Sequence, residues 1–144
     1  GHTMGTPEYT VCEAIELLHR IGADGVEIVV QNDYRSGLPC DCNENTLAEV
    51  RRCAEQNNIQ IICLTPYNSY FNSLDEPVRQ REIAAIKKVM GYCDQLGTKY
   101  IRIYGGNLAA GDTEKELSGA PRQTDRIHAR AGRCSSRKRR DAGD

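Results

Sequence analysis

The sequence has no apolar run that approaches the roughly 18 residues needed to cross a bilayer. Its N-terminus also lacks the basic and then apolar layout of a secretory signal. These absences disfavour a membrane-spanning protein, and we expect a cytoplasmic one. The chain has 144 residues, of which 39% are hydrophobic and 27% are charged. This composition is typical of one globular domain.

Nucleotide-binding loops and zinc-ligand spacings are also missing. No strand-to-helix turn carries a G-x-G-x-x-G or G-x-x-x-x-G-K-[ST] loop, which disfavours a doubly wound nucleotide-binding sheet. Of the seven cysteines only Cys40 and Cys42 form a close pair, and a structural zinc site needs a second pair, so we expect an ordinary loop there. Four other cysteines lie in apolar patterns that predict reduced core thiols: Cys12, Cys53, Cys63 and Cys93.

The charge is unevenly distributed. Residues 118–144 hold eight basic and three acidic side chains, which leaves the preceding 117 residues with a net charge of −6. Ser118 to Pro121 break a helix that is predicted to begin at 112–117. Ile127 is the only large aliphatic residue that follows. We therefore expect a disordered basic C-terminal tail at 118–144. Its composition is typical of an out-of-frame reading of a GC-rich gene, and the alternative is a selected basic tail.

Helix and strand signals alternate along the first 117 residues. Thr10 and Glu13 fit a capping box, in which each side chain accepts a hydrogen bond from the other residue's backbone N–H. Helical spacing of apolar residues follows Thr10 and recurs at 47–54 and 83–96, and a further helix is predicted to begin at 112–117. Short apolar runs predict buried strands at 25–30, 59–64 and 100–104. This order favours an α/β fold with about three parallel strands and flanking helices.

The strand spacing is typical of a (β/α)8 barrel, because Glu27 to Ile62 spans 35 residues and Ile62 to Arg102 spans 40. Three segments in this order then resemble the xylose-isomerase-like TIM-barrel family, which includes sugar phosphate isomerases and epimerases. They are G-A-D-G-V-E-I at 22–28, L-T-P-Y at 64–67 with F-N-S at 71–73, and L-G at 96–97 with Y-I-R-I-Y-G-G at 100–106.

The resemblance implies a partial (β/α)8 TIM barrel over residues 6–117. Its visible strands would be the second, third and fourth, since the family's first strand precedes the helix near Thr10. Residues 1–5 are too short and polar to supply that strand. A complete barrel needs ~250 residues, so we expect about half of one.

The family resemblance also implies a reaction. Members hold a divalent metal (Mn, Mg, Co or Zn) with carboxylates and an imidazole, and paired glutamates move a proton beside a carbonyl of a sugar or sugar phosphate. Those ligands come from later strands, and the histidines here, His2, His19 and His128, are poorly placed. We therefore expect no metal in this chain, assign no catalytic residue, and expect a fragment without activity that can self-associate through its open barrel edges.

Two groups of residues are candidates for substrate binding. Alternation along the strands turns Glu27 and Arg102 away from the helices, and alternate strands of a barrel share interior layers. We predict an ion pair between them across the third strand, near Ile62 or Leu64, and a role facing the substrate is compatible with it. The polar residues predicted at the C-terminal ends of the strands, where TIM-barrel active sites lie, are Gln31, Tyr67, Asn68, Tyr104 and Asn107.

Two other functions stay open. An apurinic endonuclease of the endonuclease IV type would need histidines where Gln31, Tyr67 and Asn107 stand, and an acidic body suits DNA poorly. A non-catalytic scaffold with a nucleic-acid-binding tail is favoured only by the basic run at 137–140, which lacks interleaved aromatic residues.

Overall fold

A computed structural model describes residues 1–106 of the chain. These residues belong to two compact units, one of residues 1–68 and 85–104 and the other of residues 69–84 and 105–106. The predicted helix at 112–117, Asn107 and the basic tail at 118–144 lie outside the described residues. The candidate functional site lies wholly within the first unit.

The first helix, α1, spans Val11–Arg20 and begins as the capping box predicts. The Thr10 backbone N–H donates to Glu13 Oε2 (2.7 Å), and the Glu13 N–H donates to Thr10 Oγ1 (3.3 Å). Gly22 follows the helix with φ +88°, a left-handed conformation that favours glycine. The buried side chains Ala14, Ile15 and Leu18 confirm the predicted apolar stripe.

The second and third helices are α2, Glu44–Gln56, and α3, Glu76–Leu96. The α2 residues predicted to face the core are all buried: Leu47, Val50, Cys53 and Ala54. The third helix is followed by Gly97 with φ +72°. None of the helices within residues 1–106 is long and apolar enough to span a membrane.

Strands β1, Gly25–Val30, and β2, Gln60–Pro66, pair in parallel. The pairing confirms the parallel arrangement, and β2 runs two residues past its predicted end because Val29 and Val30 pair with Thr65 and Pro66. A register irregularity between Val26 and Glu27 places Glu27 opposite Cys63. The parallel strands and flanking helices form a partial (β/α)8 TIM barrel.

The predicted third strand at 100–104 is present as a single parallel bridge between Leu64 and Ile101. The Leu64 N–H donates to Tyr100 O (3.1 Å), and the Arg102 N–H donates to Leu64 O (2.8 Å). No further strand covers its outer edge within the part of the chain that the structure describes. Tyr100 on this segment is accordingly exposed.

The N-terminal segment meets β1 at a single bridge. His2 forms a parallel bridge with Glu27, and the Glu27 N–H donates to Gly1 O (2.8 Å). Thr3 Oγ1 accepts a hydrogen bond from the Val29 N–H (3.0 Å). The segment therefore lies along the free edge of β1, but Thr3–Gly5 form a short 3-10 helix, and residues 1–5 do not form a strand, as expected.

The core lies between the sheet and its helices. Val26, Ile28 and Leu64 are fully buried there with the apolar residues of α1 and α2. Cys53 belongs to this core, and Cys12 and Cys93 pack against it, as predicted. Cys63 differs, because its pairing with Glu27 places it on the opposite face of the sheet. Cys42, the residue of the close pair with the buried side chain, is a free thiol, as are the four cysteines at 12, 53, 63 and 93.

Candidate functional site

The candidate site lies on the sheet face opposite the helices. Successive side chains of a strand point to opposite faces, so Val26 and Ile28 in the core commit Glu27 to the other side. Its neighbours across the pairing are Cys63 and, two residues further along β2, Thr65. Burial, followed by the charge of Glu27, raises the pKa of the Cys63 thiol. The thiol therefore stands beside the carboxylate.

Glu27 and Arg102 form the predicted ion pair. Arg102 Nη2 lies 3.4 Å from Glu27 Oε2, with 50% and 32% of the respective side chains exposed. Their alignment gives no hydrogen bond, and Oε2 is buried without a hydrogen-bond partner. Cys63 lies between them, and the Arg102 N–H donates to Leu64 O, so the pair crosses the middle strand near Leu64, as predicted.

His2 completes a cluster that the sequence analysis did not foresee. Its Nε2 lies 2.8 Å from Arg102 Nη2 and 3.8 Å from Glu27 Oε2, while its Nδ1 accepts a hydrogen bond from the Met4 N–H (2.9 Å). Burial lowers the pKa of His2, as do the charges of Arg102 and the N-terminus, whereas Glu27 acts to raise it. His2 therefore favours its neutral form.

Three tyrosines extend the site from the cluster of His2, Glu27 and Arg102. The rings of Tyr67 and Tyr104 lie 5.1 Å apart with an interplanar angle of 49°. The Tyr67 hydroxyl donates to Met4 Sδ (3.1 Å), and the Tyr34 hydroxyl donates to Met4 O (2.9 Å). Burial and the interaction with Tyr104 raise the pKa of Tyr67 to about 12, so it is a neutral donor at pH 7.

Two buried side-chain oxygens have no hydrogen-bond partner: Glu27 Oε2 in the site, and Asn68 Oδ1, two residues past the end of β2. Thr65, near the C-terminal end of β2, interacts with the Cys63 thiol through its side chain. Buried polar atoms in proteins are almost always hydrogen-bonded, so the two unpartnered acceptors call for an explanation. Donors of a bound molecule or of water would satisfy them.

The remaining predicted site residues are placed less centrally. Gln31 is exposed just after β1, where its backbone N–H donates to Leu38 O (2.8 Å). His19 is exposed on α1. Asn107 and His128 lie outside the described residues. The structure thus brings together Glu27, Arg102, Tyr67 and Tyr104 from the predicted set and adds His2.

Comparison with known families identifies the family of this chain. A family model described as xylose isomerase-like TIM barrel matches residues 15–134. The chain belongs to the xylose isomerase-like TIM-barrel family. A search of curated proteins finds no significant match.

Solved structures with this TIM-barrel fold cover most of the chain. A xylose isomerase domain containing protein from Salmonella typhimurium LT2 superposes with a TM-score of 0.65 at 19% identity, covering 94% of this chain and 44% of that one. 3-Keto-D-glucoside 4-epimerase from E. coli gives 0.67 at 13% identity, with 94% and 51% covered. D-Psicose 3-epimerase, solved in the presence of D-fructose, gives 0.58 at 14% identity, with 83% and 45% covered. The chain therefore spans about half the length of these structures.

Proteins of the xylose isomerase-like family are generally metal-dependent. Within residues 1–106, no group of three or more His, Cys, Asp or Glu side chains could hold a metal ion. The candidate site offers one carboxylate, Glu27, and one imidazole, His2. The nearby Arg102 guanidinium is positively charged and disfavours binding of a cation. The described residues therefore do not fit the family's metal centre.

Proposed function

We propose that this chain forms part of the substrate-binding site of a sugar or sugar phosphate isomerase or epimerase. The observation that carries the proposal is the half-buried Glu27–Arg102 ion pair beside the rings of Tyr67 and Tyr104, with the buried Asn68 Oδ1 unpartnered just past the end of β2. Sugar hydroxyls are dense donors and acceptors, and such a ligand would satisfy several of these atoms at once. The location supports the proposal, since TIM-barrel ligands bind at the C-terminal ends of the strands.

The individual residues have distinct roles in this proposal. Glu27 accepts hydrogen bonds from the ligand, and Arg102 both neutralises Glu27 and donates from its remaining N–H groups. Tyr67 and Tyr104 supply ring surface against the carbon skeleton and hydroxyl donors at its edge. Asn68 and Thr65 bind further hydroxyls. Gln31 and Asn107 are proposed to line the rim of the same site.

The reaction proposed for the family lineage is proton transfer on a carbon beside a carbonyl, assisted by a divalent metal. Residues 1–106 supply binding and orientation but not the ligands of that metal. We accordingly propose that the chain alone binds sugar weakly and does not isomerise it. The two epimerases among the similar structures support a ketose as the first ligand to test.

The experiment is calorimetric titration of the chain with D-fructose. We expect saturable binding that weakens at least tenfold in Glu27→Gln, because hydrogen bonds to charged groups contribute about 1.5–3 kcal/mol. Glu55→Gln is the matched control, since Glu55 pairs with Arg51 on the exposed face of α2, away from the site. Absence of binding, or equal weakening in both variants, would overturn the proposal.

A further inference from the structure

Both ring nitrogens of His2 face hydrogen-bond donors. Nδ1 lies 2.9 Å from the backbone nitrogen of Met4, and Nε2 lies 2.8 Å from Nη2 of Arg102. A neutral imidazole carries one N–H and one acceptor nitrogen, and the imidazolium carries two N–H groups. A neutral His2 ring can therefore accept a hydrogen bond from Met4 or from Arg102, but not from both. A protonated His2 ring can accept a hydrogen bond from neither.

The surroundings select which nitrogen keeps its proton. The Met4 N–H is fixed by the short helical turn Thr3–Gly5, for which His2 is the N-terminal cap. Arg102 is half exposed, carries five N–H donors and has Glu27 Oε2 within 3.4 Å as another partner. Arg102 can thus turn its donors elsewhere, whereas Met4 cannot. The tautomer with Nδ1 as acceptor and a proton on Nε2 satisfies the fixed donor.

The Nε2 proton has an acceptor in reach. Glu27 Oε2 lies 3.8 Å away and is buried without any hydrogen-bond partner. A small rotation of the carboxylate or of the ring brings this separation into hydrogen-bond range. Arg102 approaches the same oxygen, so both neighbours converge on Oε2.

We infer that His2 is a positioning residue for Glu27: the Met4 N–H holds its neutral Nε2–H tautomer, which donates to Oε2 and orients the carboxylate toward the ligand. The role of Glu27 in ligand binding rests on the proposed function. The tautomer of His2 does not, because it follows from contacts within the free protein.

The tautomer is tested by 15N NMR of the imidazole rings in the free chain at pH 7. The signals of His2 are those that vanish in His2→Asn, while His19 and His128 remain. We expect the shift of an unprotonated nitrogen at Nδ1 and of a protonated one at Nε2. A protonated Nδ1, a doubly protonated ring, or rapid averaging of both tautomers would overturn the inference.

Two substitutions separate positioning from a purely structural role. In His2→Asn the amide oxygen can still accept from the Met4 N–H, as in other helix caps, but no donor reaches Glu27. In His2→Gln the longer amide reaches the position of Nε2 and can donate to Glu27. We expect D-fructose binding to weaken about three- to tenfold in His2→Asn, with thermal unfolding unchanged, and to recover in part in His2→Gln.

These outcomes remain separate from those of the proposed function. If D-fructose does not bind the unaltered chain, the proposed function fails, and the NMR result still decides the tautomer. If the chain binds D-fructose and both His2 variants bind it equally well, positioning by His2 is refuted. The pH titration of His2 adds a check of the cluster: its pKa should rise in Arg102→Met and fall in Glu27→Gln, and unchanged values in both would contradict the geometry.

Discussion

The ion pair between Glu27 and Arg102 is expected to give a measurable coupling free energy. The perturbation is a double-mutant cycle of Glu27→Gln, Arg102→Met and the double variant, with free energies of unfolding taken from urea titrations. Glutamine keeps the shape of glutamate without its charge, and methionine keeps much of the aliphatic stem of arginine. The cycle therefore isolates the interaction between the charged groups.

The magnitude follows from the distance and the exposure. At 3.4 Å and an effective dielectric constant of about 20, the Coulomb energy is on the order of 5 kcal/mol. Solvent reduces this energy, and exposed pairs contribute only ~0.2–1 kcal/mol, whereas breaking a fully buried pair costs ~3–5 kcal/mol. Because Glu27 Oε2 is buried while half of the Arg102 side chain is exposed, we expect a coupling of about 1–2 kcal/mol.

Arg51 and Glu55 provide the control cycle. Their Nε and Oε1 atoms lie 2.8 Å apart, closer than in the site, but 53% and 62% of the side chains are exposed. Such helix pairs at i and i+4 contribute ~0.3–0.5 kcal/mol, so the shorter pair should show the smaller coupling. Strict additivity in the Glu27 and Arg102 cycle, or a coupling no larger than the control, would refute the reasoning from burial.

Three further predictions use other parts of the structure. Because the pKa of His2 is lowered on folding, its neutral form stabilises the native state fully above pH 6.5. That contribution should fade as the pH falls through the lowered value, and urea titrations from pH 7 to 4 should show less loss in His2→Asn than in the unaltered chain. Ile28→Ala, in the buried core, should cost ~2–5 kcal/mol of unfolding free energy, whereas Ile62→Ala, with 38% of Ile62 exposed, should cost under about 1.5 kcal/mol; equal losses would contradict the assignment of faces. With Mn²⁺ added, the chain should not interconvert D-fructose and D-psicose, as followed by chromatography. Turnover that chelation abolishes would contradict the proposal that the chain alone does not isomerise sugar.

Local patterns account for the parts of the fold that sequence analysis predicted. The Thr10–Glu13 capping box and the apolar spacing from Leu47 to Ala54 depend on residues within a few turns of each other, and the observed helices begin and pack accordingly. The period-2 alternation around Glu27 and Arg102 likewise fixed their shared face, and the ion pair is confirmed.

The rest of the site depends on pairing between distant segments. His2 is one residue among polar neighbours, and its position beside Glu27 becomes visible only once the backbone of Gly1 and His2 pairs with β1. The placement of Cys63 next to Glu27 depends on a register irregularity that no residue pattern signals. Residues 1–5 contain few apolar side chains, so their sequence gives no pattern that predicts pairing with β1.

Sugar binding at the sheet face carrying Glu27, Tyr67 and Arg102 is tested most directly by a map of backbone amide shifts in the 15N-labelled chain during titration with D-fructose. We expect saturable shifts concentrated at these residues and at Asn68, and their loss in Glu27→Gln but not in Glu55→Gln. Shifts that spread over the helices, or that persist unchanged in Glu27→Gln, would contradict it.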